Sequence, residues 1–265
     1  MQYAPSKNLS NFIKHYLIFD VPSSGQKQFR HFSNGHNGLV FTLKKKEFVS
    51  LNSKTTLPET FIFGQISENQ DFGINGATSI IIVLFQPLGF FGLTGIPANN
   101  YINDFEDSYL IFGKEILELK DCLQSSTNSS EAINYLNSYF TKKLKISKYI
   151  LDPFLMNTIQ LAYKEKGNVS VNELCSQLGV KERKMQRMFS KQIGIAPKKF
   201  ISNIKLHYFL SLLRNQSGLS SLTNLSLQAG YYDQAHLIKE FKKTVGFVPS
   251  KYLNIPRLAV NLIEI

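Results

Sequence analysis

The chain has 265 residues, 43% hydrophobic and 18% charged; this globular composition leaves room for about two domains and a core that needs no covalent staple. Its net charge is +11, and its two cysteines, Cys122 and Cys175, are too few for a disulfide framework or a cysteine-rich zinc site. Reduced thiols and a start with neither a basic n-region nor an apolar h-region lead us to expect a cytoplasmic protein without a signal peptide. Residues 72–103 carry no charged side chain, yet Gly73, Gly76, Gly89, Gly92, Gly95, Pro87 and Pro97 interrupt them, so no membrane span is expected.

In chain order, residues 8–20 alternate apolar and polar and end at a turn cluster over 21–25. Strands are predicted over 38–43, 60–63 and 80–85, with a solvated lysine turn at 44–46. Short strands between turn signals suggest a small barrel or sandwich. Ile116, Leu117, Leu119 and Leu123, then Ile133, Leu136, Tyr139 and Phe140, recur at helical spacing around a polar loop at 124–130. Their apolar stripes are expected to pack on the sheet or to form a subunit contact.

From Asp152 onward the pattern is helical throughout. Asp152 followed by Pro153 marks a capped helix start, and Ser170 with Glu173 forms a capping box. Gly179 supplies a turn before a helix over about 182–192 carrying Met185, Met188 and Phe189 inward. A long helix is predicted from Pro197 to about Asn215. The unit then repeats: a short helix ends at Ala229, Gly230 turns, Asp233 caps, and a helix carries Leu237, Ile238 and Phe241. Phe189, Gly194 and Pro197 correspond to Phe241, Gly246 and Pro249, so two helix-turn-helix units are expected.

Charge follows this division. Residues 1–150 carry 14 Lys/Arg against 12 Asp/Glu, whereas 151–253 carry 15 against 6, a net of +9. A basic half suggests a polyanionic partner. The second helix of each unit presents side chains able to bond base edges in a major groove. In the first unit these are Arg183, Gln186, Arg187 and Ser190; in the second, Gln234, Ala235, His236, Lys239 and Lys243. Lys184, Lys191, Lys198, Lys199, Lys242, Lys243 and Lys251 are placed to neutralise phosphates.

The segment 230–252, GYYDQAHLIKEFKKTVGFVPSKY, resembles the signature of the AraC family of transcription factors. The first unit fits as well, through Leu174, Leu178, Gly179, Arg183, Met185–Phe189 as a run, Gly194 and Pro197. The resemblance covers about 152–253. It implies seven helices, a long one joining two units that enter successive major grooves on one DNA face. It also narrows the implied base readers to Arg183, Gln186, Arg187, Gln234, His236 and Lys239. It also implies transcription regulation and contact with RNA polymerase. Lys205, Leu206 and His207 depart from the usual Arg-rich run of the joining helix. Residues 85–93, FQPLGFFGL, look like part of the sensor half of such regulators, which implies an effector-binding or dimerisation role.

The whole reads as an α+β chain. A β-rich sensor-like domain over 1–150 precedes an all-α DNA-binding domain over 151–253 and a tail over 254–265. No phosphate loop, nucleophile elbow or close carboxylate pair appears, so no catalysis and no cofactor are expected. His31 and His36 lack a nearby Glu and are expected as surface or turn residues rather than metal ligands. The expected partners are double-stranded DNA, a small-molecule effector and a second copy of the chain.

Overall fold

The computed structural model describes residues 1–22, 26–44, 47–215 and 221–265. The turn residues expected at 23–25 and 45–46 lie outside them.

The N-terminal half is a sandwich of two antiparallel sheets with helices on one outer face. In chain order its strands are β1 (Gln2–Tyr3), β2 (Ile13–Val21), β3 (Gln26–His31), β4 (Gly38–Thr42), β5 (Phe48–Ser50), β6 (Thr55–Leu57), β7 (Thr60–Phe63), β8 (Gln70–Asn75) and β9 (Thr78–Phe85). Helix α1 (Gly89–Thr94), a single turn at Ala98–Tyr101 and β10 (Phe105–Asp107) follow. Then come α2 (Ser108–Phe112), α3 (Glu115–Ser125) and α4 (Ser129–Ile146). The first sheet has the order β1-β2-β9-β4-β7-β10.

The period-two pattern of β9 explains its continuous apolar run. Ile80 and Leu84 face the second sheet, while Ile81, Val83 and Phe85 face α3 and α4. The helical stripe residues Ile116, Leu119, Leu123, Leu136 and Phe140 are buried in that second layer. Their own sheet therefore covers these residues, whereas Leu117, expected on the same stripe, is 40% exposed.

The C-terminal half holds seven helices among the described residues: α5 (Pro153–Lys164), α6 (Val171–Gln177), α7 (Glu182–Ile193), α8 (Pro197–Asn215), α9 (Leu222–Gln228), α10 (Gln234–Val245) and α11 (Pro249–Leu253). The expected caps are present. Asp152 Oδ1 accepts from the amides of Phe154 and Leu155, and Ser170 and Glu173 form the reciprocal capping box. Each helix pair has its own core. Leu174, Met185, Phe189 and Phe200 centre the first; Phe209, Leu237, Phe241 and Tyr252 centre the second.

The last residues do not leave the body of the protein. Strands β11 (Arg257–Ala259) and β12 (Leu262–Glu264) form a hairpin whose β12 pairs antiparallel with β3. The second sheet thus has the order β11-β12-β3-β8-β5-β6. The hairpin that follows α11 completes the second sheet of the N-terminal half.

Candidate nucleic-acid interface

Each unit is built by the same local chemistry. In the first, Gly179 adopts φ +64°, the left-handed turn that an L side chain resists, between α6 and α7. Met185, Phe189 and Ile193 lie at helical spacing on the buried face of α7. The face opposite them is therefore solvated, and Arg183, Lys184, Gln186 and Arg187 are all exposed.

In the second unit Gly230 takes φ +84°, and Tyr231 is buried beneath α10. Asp233 Oδ1 accepts from the amide of His236 at 2.7 Å, capping α10. Leu237, Phe241, Thr244 and Val245 face inward. His236, Lys239, Lys242 and Lys243 are exposed, and Gln234 is half-buried. Replacing Asp233 with Ala leaves that amide without its acceptor, at a cost of about 1 kcal/mol. A lower urea midpoint for the full chain is the expected result; an unchanged midpoint would contradict the cap.

Of the six expected base readers, one from each helix, Gln186 and His236, lines a common opening, whereas Arg183, Arg187 and Gln234 lie outside it and Lys239 lines the depression beside it. This opening is a groove of about 660 Å³, lined by Glu182 and Gln186 of α7, Lys198 and Lys205 of α8, and His236 and Glu240 of α10. Lys199 and Lys243 border its far end. Burial lowers the Lys199 pKa from its ordinary value. Two of the expected phosphate ligands have aromatic neighbours instead: the Lys191 ammonium lies 5.8 Å over Phe91 of α1, and that of Lys251 5.4 Å over Phe247.

Several expected base-reading side chains have partners of their own. Gln186 Nε2 donates to Glu182 at 2.8 Å, and Thr223 donates to Gln234 Oε1 at 2.7 Å. His236 sits 3.9 Å from Glu240, which also accepts from Ser202 of α8. Glu182 and Glu240 escape a search for basic readers, although a carboxylate is the natural acceptor for a cytosine amine. Tyr232 also escapes it. It is 87% exposed in the turn before α10, and only its place beside the capping Asp233 marks it in the sequence.

The histidines correct the expectation of surface or turn positions: His31 and His36 are both buried. His31, at the end of β3, points into the space between the two sheets, whereas His36 lies in the loop between β3 and β4. His36 Nδ1 donates to the Phe85 carbonyl at 2.8 Å, so its Nε2 is the acceptor for the Lys14 ammonium, also at 2.8 Å. Burial, with the Lys14 charge adding to it, holds His36 well below the usual histidine range. His207 of α8 donates to the Ser33 carbonyl at 3.1 Å, and burial pushes its pKa down to about 4. This accounts for the departure noted in the joining helix: His207 faces the N-terminal half, and Lys205 donates to the Gly230 carbonyl at 3.1 Å. Among the described residues, no group of three or more His, Cys, Asp or Glu is placed to hold a metal ion. No described helix is long and apolar enough to cross a membrane.

Two helix-turn-helix pairs on one joining helix, each with a basic outward face, form the kind of arrangement that can enter a major groove. Comparison with known proteins agrees. A family described as "Helix-turn-helix domain" matches residues 174–255, and a "Domain of unknown function (DUF6597)" matches residues 1–107. The chain is 21% identical over 182 residues to the lactose operon transcription activator of Staphylococcus xylosus, covering 61% of this chain and 64% of that protein. It is 26% identical over 94 residues to the XylDLEGF operon transcriptional activator 2 of Pseudomonas putida, covering 35% of this chain and 60% of that protein. The matches thus span less than two thirds of either relative's length. Among solved structures, unsaturated fatty acid bound ToxT from Vibrio cholerae aligns with 90% of this chain and 94% of its own, at 16% identity and a TM-score of 0.49. Residues 174–255 thus match a helix-turn-helix family, and the chain is similar to proteins named as transcription activators.

Proposed function

We propose that the protein is a sequence-specific regulator that reads two successive major-groove segments with α7 and α10. The observation that carries this reading is the single groove lined by Gln186 of α7 and His236 of α10, with Lys198 and Lys205 of the joining helix between them. Arg183, Gln186 and Arg187 read the first segment, and Gln234, His236 and Lys239 read the second. Lys184, Lys191, Lys198, Lys199, Lys242, Lys243 and Lys251 serve the backbone, Lys191 and Lys251 by swinging off their rings. Contact with RNA polymerase follows from the same role. A compact effector occupies the cavity of about 50 Å³ between the two sheets, whose lining includes six phenylalanines. Self-association draws no support from α3 and α4, whose stripes are covered apart from Leu117.

The test compares two variants of the full chain on an operator obtained by in-vitro selection and on random duplex. Arg187→Ala removes a base contact worth about 1–3 kcal/mol of discrimination, so preference for the operator falls about 5- to 150-fold. Lys198→Ala weakens both duplexes alike and flattens the dependence of log K on log salt by about 0.9. Equal losses on both duplexes for Arg187→Ala would overturn the placement of the reading face.

A further inference from the structure

The cavity between the sheets and the second helix-turn-helix unit share a wall. That wall is the β3–β12 strand pair, and the two-residue period of its strands sends alternate side chains to opposite sides. In the register, Leu262 stands opposite His31, and Ile263 stands opposite Arg30. Phe29, His31 and Leu262 point into the cavity. The intervening residues point the other way. Ile263 and Phe32 are fully buried in the core of the second unit, alongside Phe209, Phe241 and Tyr252. Arg30, held by two bonds to Asp71 at 2.6 and 2.7 Å, reaches the carbonyl of Val245 at the end of α10 at 3.3 Å.

A second tie joins the same elements. The Tyr252 hydroxyl of α11 donates to the Val260 carbonyl at 2.9 Å, inside the hairpin loop. Asn261, next in sequence, lines the cavity and donates to the Phe32 carbonyl at 3.2 Å. The first unit has no such wall. It meets the N-terminal half at α1 and the turn Ala98–Tyr101, which belong to the core on the helical side of the sandwich, and at the β3–β4 loop, where Gly35 lies against Phe200, but at no strand that lines the cavity.

We infer that the β3–β12 wall carries the occupancy of the inter-sheet cavity to the second helix-turn-helix unit and not to the first. The inference rests on the effector reading above and names its route. The ligand is a compact, mainly apolar molecule with a hydrogen-bonding group for His15, His31 or Asn261, the polar side chains of the lining. A packed interior does not deform smoothly, so filling the cavity must shift or stiffen its thinnest wall. That wall's outer face is part of the core on which α10 is seated.

The experiment fills the cavity without a ligand. Ile82 of β9 lines it from the sheet opposite the wall, so Ile82→Phe adds volume without touching β3 or β12. Val40→Leu, on neighbouring β4, is the milder variant should the first fail to fold. Hydrogen exchange of the full-length variants is read without DNA. The expected result is a change of about fivefold or more in amide exchange across α10 and α11, with α6 and α7 unchanged. Equal changes in both units, or a shifted melting temperature with no change in α10, would overturn the inference. Since no DNA enters this readout, failure of base reading in the Arg187→Ala test leaves it intact, and the reverse also holds.

Discussion

Phe32→Ala is expected to destabilise the second helix-turn-helix unit by about 3–5 kcal/mol, although Phe32 precedes that unit by nearly two hundred residues. Its ring is fully buried, stacked 6.1 Å from His207 and edge-on to Tyr252 at 6.3 Å. Removing it leaves a cavity walled by α8, α11 and the hairpin, with no mobile surface to fill it. The cost should appear in urea unfolding of the full chain, with weakened binding to selected operator. A loss below about 1 kcal/mol would mean that the site collapses around the smaller side chain, and that the two halves are less interlocked than the contacts imply.

The DNA-binding half was legible in the sequence because its signals are local. Capping residues, glycine turns and 3.6-residue periodicity all act within a few residues, and the repeat of Phe, Gly and Pro doubled each of them. Asp152, Ser170, Gly179 and Asp233 stand in the structure where their chemistry requires. The sandwich was legible in kind, since β9 and β7 announce themselves through β-branched and aromatic runs. Strands β5, β6 and β10 have only three residues each and carry no legible period, and the six-residue β3 and β8, rich in Gln, Lys, Asp and Gly, lack the β-branched runs that mark a strand.

What the sequence concealed is long-range. Nothing in residues 254–265 distinguishes a tail from a strand pair, because a three-residue strand gains its stability only from the β3 edge it completes. The same holds for the loop between β3 and β4. Its Ser, Asn, Gly and His residues read as a solvated turn, yet Asn203 donates to Ser33 at 2.7 Å and Gly35 lies against Phe200. Polar residues sit there because both sides of the seam are polar, and only the fold reveals the second side. At the reading face the exposure of each residue followed from helical period, whereas the partners of Gln186 and Gln234 did not.

That seam leads to the second large effect, an acid lability centred on its histidines His36 and His207 and on His31, which lines the cavity behind it. His31, His36 and His207 are buried and neutral, with pKa values pushed down to about 3 for His31 and about 4 for His207. Desolvation is the main cause in each case, because an imidazolium there would have no water and no carboxylate beside it. In the unfolded chain each accepts a proton near pH 6.5. Between that value and the folded pKa the unfolded state therefore binds more protons, and stability falls as pH is lowered. Each histidine contributes up to about 1.4 kcal/mol per pH unit, so three together remove several kcal/mol by pH 5. Their stabilising contribution is complete above about pH 6.5. Carboxylates do not confuse the window, since Asp and Glu titrate mainly below about pH 5 in the unfolded chain. The Lys14 ammonium beside His36 stays charged throughout, since burial lowers its pKa only to about 8, and so it opposes a second cation there. Urea midpoints of the full chain at pH 7.5, 6 and 5 should fall steeply below pH 6.5, and His207→Gln should make the slope shallower. A flat profile down to pH 5 would mean that the histidines meet solvent when the halves part locally, and that the seam opens well before the protein unfolds.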